Sequence, residues 1–457
     1  MGLLFLILFL ITEIALTVLT FTKWYEKAKF LRNRTVVTAA EFLILLLIVV
    51  IPMTYMKWRF TCALVMLLVR SVFAGIRFLL KGKKVQGNVN KPARIICCVF
   101  TVMFLGISLV PSFIFSNYNG LEVTGEYEIG ECSAILIDSR IEEFENDGSK
   151  REVPVHFYYP EAEGEFPLVV FSHGAFGYYQ SNYSTYAELA SNGYVVVALD
   201  HPYHAFFTKD SQGKTIIVDM EFMTDAVDIS NGNMSESEAM ELSREWMKLR
   251  TADESFVLDT IKFSKESDSL GDNWFTDNET EILKILSRTD TEKIGLMGHS
   301  MGGATAVALG RNRDDIDAII DLDGSMLSEI KSINNGECVY VSDPYKVPLL
   351  DFRKESDYNE LEQLRNNNTH KDSYIYSFAY VNNYIVENAQ NAQTVVFHGA
   401  EHMDFTDLPM FSPFLGSLLG TGDVDGEEFM YTVNKVVLNW FDYYLKEEGS
   451  LNIQATY

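Results

Sequence analysis

Residues 293–310 read as a short apolar run, a tight turn carrying a serine, and a helix. The run Lys293-Ile294-Gly295-Leu296-Met297 enters Gly298-His299-Ser300-Met301-Gly302-Gly303, and Ala304 to Gly310 follows. Strand, Gly-x-Ser-x-Gly, then helix is the context of a nucleophile elbow. The residues two before and two after the serine must be small, because the turn is tight. Such a turn lifts the Ser300 hydroxyl above the sheet edge and leaves the Met301 N–H facing the same space. A serine presented in this way attacks an acyl carbon.

Continuous apolar runs recur around the elbow: Pro167–Ser172, Tyr194–Leu199, Ile294–Met297, Ile316–Leu322, Val347–Leu350 and Thr394–Phe397. Strands buried on both faces and alternating with helices predict a mostly parallel α/β sheet. Helices are expected near Tyr183–Ser191, Ser235–Ser264, Met301–Leu309 and Glu427–Glu447. Edge strands are expected over Leu121–Ile129, Ser133–Asp138 and the alternating run Glu152–Pro160. The stretch from about Tyr203 to Asn278 is long for a strand-to-strand connection and reads as a lid-like insertion.

Charge divides the chain. Residues 1–116 hold 14 Lys/Arg and three acids, Glu13, Glu26 and Glu41; the remainder holds 23 basic and 60 acidic residues, a net of −37. The acidic part does not seek nucleic acid or anionic headgroups by charge. The basic part contains four apolar stretches, about 3–22, 36–56, 60–80 and 95–116, each long enough to cross a bilayer as a helix. The chain is therefore expected to join an all-α four-span module, 1–116, to an α/β domain, 117–457. Lys23, Lys27, Lys29, Arg32 and Arg34 follow the first span, and Lys81, Lys83, Lys84, Lys91 and Arg94 follow the third. Both loops should be cytoplasmic, which places everything after Ser116 outside the cell membrane. Glu13 and Arg70 lie inside spans and are expected to pair. Cys132 and Cys338 lie in the outer part, and sequence leaves open whether they form a disulfide.

A serine hydroxyl needs a base to take its proton and an acid to hold that base in one tautomer. After an elbow the partners follow in the order acid, then histidine. The favoured base is His402, in His398-Gly399-Ala400-Glu401-His402-Met403-Asp404-Phe405, with His398 as the lesser candidate. Asp323, which ends the run Ile319-Ile320-Asp321-Leu322-Asp323-Gly324, is the favoured acid over Asp357. Two N–H groups should meet the oxyanion. Met301 supplies one, and the loop Phe171-Ser172-His173-Gly174-Ala175-Phe176-Gly177 supplies the other, from Ala175. The apolar segment Leu408–Phe414 follows His402 and either lines an acyl pocket, touches lipid or packs in a core.

These pieces resemble the platelet-activating-factor acetylhydrolase group of α/β-hydrolases, with dienelactone-hydrolase-like and bacterial polyester-hydrolase relatives. The matching segments are Val153-Pro154-Val155 with Tyr159-Pro160, Phe171–Gly174, Gly298–Gly303, Leu322-Asp323-Gly324 and His402–Asp407. Arg250-Thr251-Ala252-Asp253, leading to Val257-Leu258-Asp259, is also similar. The resemblance covers about 150–410. It implies an α/β-hydrolase fold, Asp323 as the acid and Ala175 as the second oxyanion donor. The chain departs from the family in having Ala175 where a bulky residue is usual, and in its membrane module.

The expected function is a membrane-anchored serine carboxylic-ester hydrolase acting through an acyl-Ser300 intermediate on short-acyl lipids such as 1-alkyl-2-acetylglycerophosphocholine-type esters. Peptide or amide hydrolysis on the same triad, and a non-catalytic hydrolase-fold ectodomain, are the alternatives. No cofactor or metal is implied, since the acidic clusters lack ligand spacing. The expected partner is a small ester or lipid, with no nucleic acid and no inferable protein partner.

Overall fold

A computed structural model describes residues 2–22, 26–81, 85–142, 149–334, 337–366 and 378–457. Lys23, Lys83 and Lys84, three of the charges used above to orient the spans, lie outside the described residues. The chain separates into two compact units, Met1–Gly120 with Pro409–Leu418, and Leu121–Leu408 with Leu419–Tyr457.

The first unit is built on α1 (Gly2–Leu19), α2 (Lys27–Val50), α3 (Thr61–Lys81) and α4 (Lys91–Ile114). With a 3-10 turn over Lys57–Phe60 extending α3, all four are long and apolar enough to cross a membrane. Helix α2 starts well before the apolar run does, because Lys27–Arg34 is rich in good helix formers. It stops at Val50, since Pro52 disfavours the helical conformation for Ile51. Asn90 caps α4 by accepting the Ala93 N–H at 3.1 Å, with Pro92 in the first turn. Phe5, Phe9, Leu45, Val49, Leu67, Leu105 and Leu109 fill the interior. Leu4, Phe73, Leu79 and Phe100 are among the large apolar side chains facing outward. Four long helices with large apolar side chains facing outward suggest membrane association.

Charge lies inside this unit. Arg70 pairs with Glu13 through Nη2 and with Glu41 Oε2 through Nη1 at 2.8 Å. Arg94 Nη2 meets the other oxygen of Glu13 at 2.7 Å, and Thr12 donates to Glu41 at 2.6 Å. Arg94, read above as a loop charge, is therefore a buried partner in the first turn of α4. A hydropathy window cannot see this, because a charged residue lowers the average whichever way it faces. Pro409–Leu418 belongs to the same unit: Ser116 N–H donates to Phe411 O at 3.0 Å, and Ser412 Oγ donates to Ile114 O at 2.8 Å. The Phe411 ring lies 5.1 Å from that of Phe115.

The second unit is a nine-stranded sheet. Its first strands are β1 (Ile129–Glu142), β2 (Lys150–Pro160), β3 (Phe166–Ser172) and β4 (Val195–Leu199). From one edge the order is Ala392–Phe397, Leu349–Lys354, Ala318–Leu322, Thr289–His299, β3, β4, β2, β1 and Trp274–Phe275. Every pairing from Ala392–Phe397 to β4 is parallel, and β2 and β1 join antiparallel. The parallel strands carry Val, Ile and Leu on both faces, because helices cover both sides. Leu121–Glu128 does not enter the sheet as expected. Its N–H groups go to side chains and a helix end instead: Glu122 to Tyr431 Oη, Thr124 to Glu188 and Tyr127 to Ser191 O.

Helix α5 (Tyr183–Ser191) and the helices Met301–Asn312 and Gly426–Tyr444 fall close to their expected places. Within 203–278 lie a hairpin of Phe207–Lys209 with Thr215–Ile217, the helix Met220–Ser230 and the long helix Glu236–Ser267. The last of these buries a stripe at helical spacing, Arg250, Asp253, Glu254, Val257, Leu258, Ile261 and Ser264. The aliphatic end of that stripe is core. Among the described residues no disulfide forms. Cys132 sits in β1, and Cys338 in the hairpin of Ile330–Asn334 with Glu337–Tyr340.

Candidate active site

The elbow strand Thr289–His299 lies mid-sheet, so its end opens above the parallel strands. At Ser300 the backbone takes φ 55° and ψ −123°, a strained corner for any side-chain-bearing residue. Gly298 and Gly302 permit it by close approach. A Cβ on Gly298 would lie 2.6 Å from Ser172 O, and one on Gly302 would overlap the Ser172 carbonyl. The corner is held by Ser300 N–H donating to Leu322 O at 2.9 Å and Ala304 N–H to Ser300 O at 3.1 Å. The Met301 N–H, first of its helix, and the Ala175 N–H have no backbone acceptor among the described residues.

Asp323 directly follows the strand that pairs with the elbow strand, His299 lying opposite Leu322. Its φ is 53°, which aspartate tolerates better than most residues. The backbone N–H donates to Phe352 O at 3.0 Å, and Oδ1 accepts the Lys354 N–H at 3.1 Å. Oδ2 lies 2.6 Å from Nδ1 of His402. Burial pushes the Asp323 carboxyl up. The hydrogen bond and charge of His402, with Lys354 nearby, outweigh this and hold it below the ordinary carboxylate range.

His402 opens a 3-10 turn, His402–Phe405, closed by a capping box between Glu401 and Asp404. Asp404 also accepts the Gly422 N–H at 2.6 Å. Asn182 donates to Phe405 O at 2.6 Å, and Asp407 accepts Ser184 N–H at 2.8 Å at the start of α5. The Asp407 of the sequence motif thus anchors the histidine loop to a helix N-terminus. His299 meets His402 O through Nε2 at 3.0 Å, their rings 4.6 Å apart. Burial lowers His299 to about 3, so it is neutral. Asp357, the other acid weighed from sequence, pairs with Lys354 Nζ at 3.3 Å, and His398 is exposed beside Glu355. The carboxylate bonded to His402 is that of Asp323.

A second set of polar side chains lies fully buried behind this site. Ser172 Oγ meets His201 Nε2 at 2.9 Å, and His201 Nδ1 meets Asp253 at 2.8 Å. Asp253 holds Arg151 through two bonds of 2.6 and 2.7 Å. Arg250 reaches the His173 and Gly174 carbonyls. Motif reading singled out Arg250 and Asp253 and quoted His173 within the loop after β3 but gave none of the three a task of its own, and it missed His201. Their signal was position, since His173 and His201 each come just after a buried strand, β3 and β4.

Glu254, one residue on, is buried with no hydrogen-bond partner on either oxygen among the described residues. Burial pushes its carboxyl up to about 8, against the pull of Arg250 and Arg313. The unfolded chain gives up this proton near the usual glutamate value, about 4.3. Between that pH and about 8 the folded state therefore binds the extra proton, and stability falls as pH rises. Glu254→Gln should remove a cost of up to about 5 kcal/mol at pH 8 and change little at pH 4. Thermal unfolding at the two pH values checks it; equal shifts at both would refute the buried-proton account.

A mostly parallel sheet with a serine elbow at its centre, and an acid and a histidine on later strand-end loops, defines an α/β-hydrolase. The family model for platelet-activating factor acetylhydrolase, isoform II, matches residues 123–452. The chain belongs to that family. A platelet-activating factor acetylhydrolase from Cavia porcellus is 25% identical over 305 residues, covering 64% of this chain and 61% of that protein. The chain thus spans about three fifths of the length of that relative. A ferulic acid esterase from Streptomyces cinnamoneus superposes with a TM-score of 0.51 at 20% identity, over 73% of this chain and 95% of that one. This second likeness is one of fold.

Proposed function

We propose that the chain is a membrane-anchored serine hydrolase of carboxylic esters, with Ser300 as nucleophile, His402 as base and Asp323 as the acid that orients it. The observation that carries the reading is the 2.6 Å bond between His402 Nδ1 and Asp323, which commits Nδ1 to the acid and leaves Nε2 for the serine. Ser300 Oγ attacks the ester carbonyl carbon as its proton passes to His402 Nε2. The tetrahedral oxyanion is met by the N–H groups of Met301 and Ala175. As the carbonyl re-forms, the C–O bond to the alcohol breaks and His402 protonates the leaving oxygen. Water then attacks the acyl-serine with His402 again as base, releasing the acid and restoring Ser300.

Family membership supports an ester substrate. The acetylhydrolase relative and the four apolar helices together favour short-acyl phospholipid esters in or near a bilayer. Lys27, Lys29, Arg32, Lys81 and Lys91 at one end of the helices favour a cytoplasmic position for that end, and hence a hydrolase unit outside. Intact cells treated with a membrane-impermeant fluorophosphonate should label the wild-type chain and not Ser300→Ala. Labelling that begins only once cells are opened would overturn the orientation, and Ser300-independent labelling would overturn the nucleophile. A panel of esters and peptides of matched acyl groups should show turnover of the esters.

A further inference from the structure

Arg250 is wholly buried, yet among the described residues none of its hydrogen bonds reaches a carboxylate. Its Nη1 donates to His173 O at 2.6 Å, its Nη2 to Gly174 O at 3.2 Å, and its Nε to His204 Nδ1 at 3.3 Å. The nearby carboxylate of Asp253 is taken up by Arg151 and His201. Burial, with Arg250 as the next cause, holds His173, His201 and His204 below the usual histidine range, so uncharged imidazoles surround the guanidinium. A buried cation aimed at main-chain carbonyls is a costly arrangement. Those carbonyls belong to the loop that follows β3.

The geometry of that loop explains the arrangement. In a trans peptide the C=O and the following N–H point in opposite directions in one plane. No cis peptide occurs among the described residues. The Gly174 carbonyl is held on three sides, by Arg250, by His173 Nδ1 at 2.6 Å and by Gly177 N–H at 3.2 Å. With the Gly174 oxygen fixed toward Arg250, the Ala175 N–H faces away from it. On the Gly174 side lies the nucleophile, for a Cβ on Gly174 would stand 3.2 Å from Ser300 Cβ.

We propose that Arg250 is a positioning residue for the oxyanion hole: by gripping the His173 and Gly174 carbonyls it orients the Ala175 N–H toward the oxyanion formed at Ser300. The inference rests on the ester-hydrolase reading above. Arg151, Asp253, His201 and Ser172 brace the same loop from behind. The sequence motif Arg250-Thr251-Ala252-Asp253 thereby gains a task, since three residues along a helix bring both charges to one face.

A preorganised donor matters more to the transition state than to bound substrate, and loss of one such donor costs about 100- to 1,000-fold in kcat. Arg250→Met should therefore lose about 100-fold or more in kcat with KM nearly unchanged. Binding of a trifluoromethyl ketone, which forms a tetrahedral oxyanion adduct on the serine, should weaken by the same factor as kcat/KM falls. Arg250→Lys keeps the cation but not the two-pronged grip. It should be intermediate on both measures, and it carries the test if the methionine variant does not fold. A merely structural role would lower the unfolding temperature without splitting kcat from KM, and an Arg250→Lys variant with wild-type kcat and ketone affinity overturns the proposal. Wild-type protein without Ser300-dependent ester turnover would instead be a failure of the functional reading.

Discussion

An Asp323→Asn variant is expected to lose about four orders of magnitude in kcat, near 5.5 kcal/mol of activation free energy, while KM changes little. The substitution is nearly isosteric, and asparagine accepts the left-handed backbone at this position, φ 53°, as readily as aspartate does. What it alters is the proton pattern. Asp323 accepts from His402 Nδ1 at 2.6 Å and from Lys354 N–H at 3.1 Å. An amide at this position can turn its NH2 toward Nδ1, which moves the ring proton to Nε2, where the serine proton must go. Asp357→Asn should stay near wild type, because Asp357 pairs with Lys354. Steady-state ester hydrolysis of the two variants separates these acids. A nearly active Asp323→Asn, or an inactive but folded Asp357→Asn, would reassign the acid.

The second large effect is on the four-helix unit. Glu13 is fully buried and holds two guanidinium groups, those of Arg70 and Arg94. Arg94 has no other carboxylate, and its Nε and Nη1 have no hydrogen-bond partner among the described residues. Glu13→Leu should cost about 3–5 kcal/mol, the usual penalty for leaving a buried charge without its partner. Rescue should depend on which arginine is then removed. Arg94→Leu discharges the stranded cation and should recover most of the loss. Arg70→Leu should recover less, because Arg70 also holds Glu41 at 2.8 Å. Unfolding temperatures of the detergent-solubilised single and double variants measure this, and equal rescue by both arginine changes would count against the asymmetric network.

Much of the fold was legible because its elements are local. The elbow needs only a buried strand, small residues at 298 and 302, and a helix former after Ser300. The parallel strands follow from short continuous apolar runs, each a few positions long, with helices between them. Leu121–Glu128 was misread because the N–H groups of Glu122, Thr124 and Tyr127 are taken by Tyr431, Glu188 and the Ser191 carbonyl instead of by a strand, partners that lie far along the chain. Arg94 was misread because charge near the end of an apolar run gives no hint of the face it occupies. The apolar segment after His402 was legible as apolar, but its neighbours at Ile114 and Ser116 lie nearly 300 positions earlier.

From sequence alone came the membrane-length helices, the alternating strands and helices, and the chemical identity of a serine, an acid and a histidine in a workable order. Each depends on residues near one another in the chain, where backbone preference and apolar period act directly. Tertiary structure alone decided that Asp323 rather than Asp357 meets His402 across 79 positions, that Arg250 backs the loop at Ala175, and that Glu13 is shared by two arginines. Those contacts depend on which strands and helices lie side by side, and that order is set by packing of the whole chain, for which no short stretch of residues carries a signal.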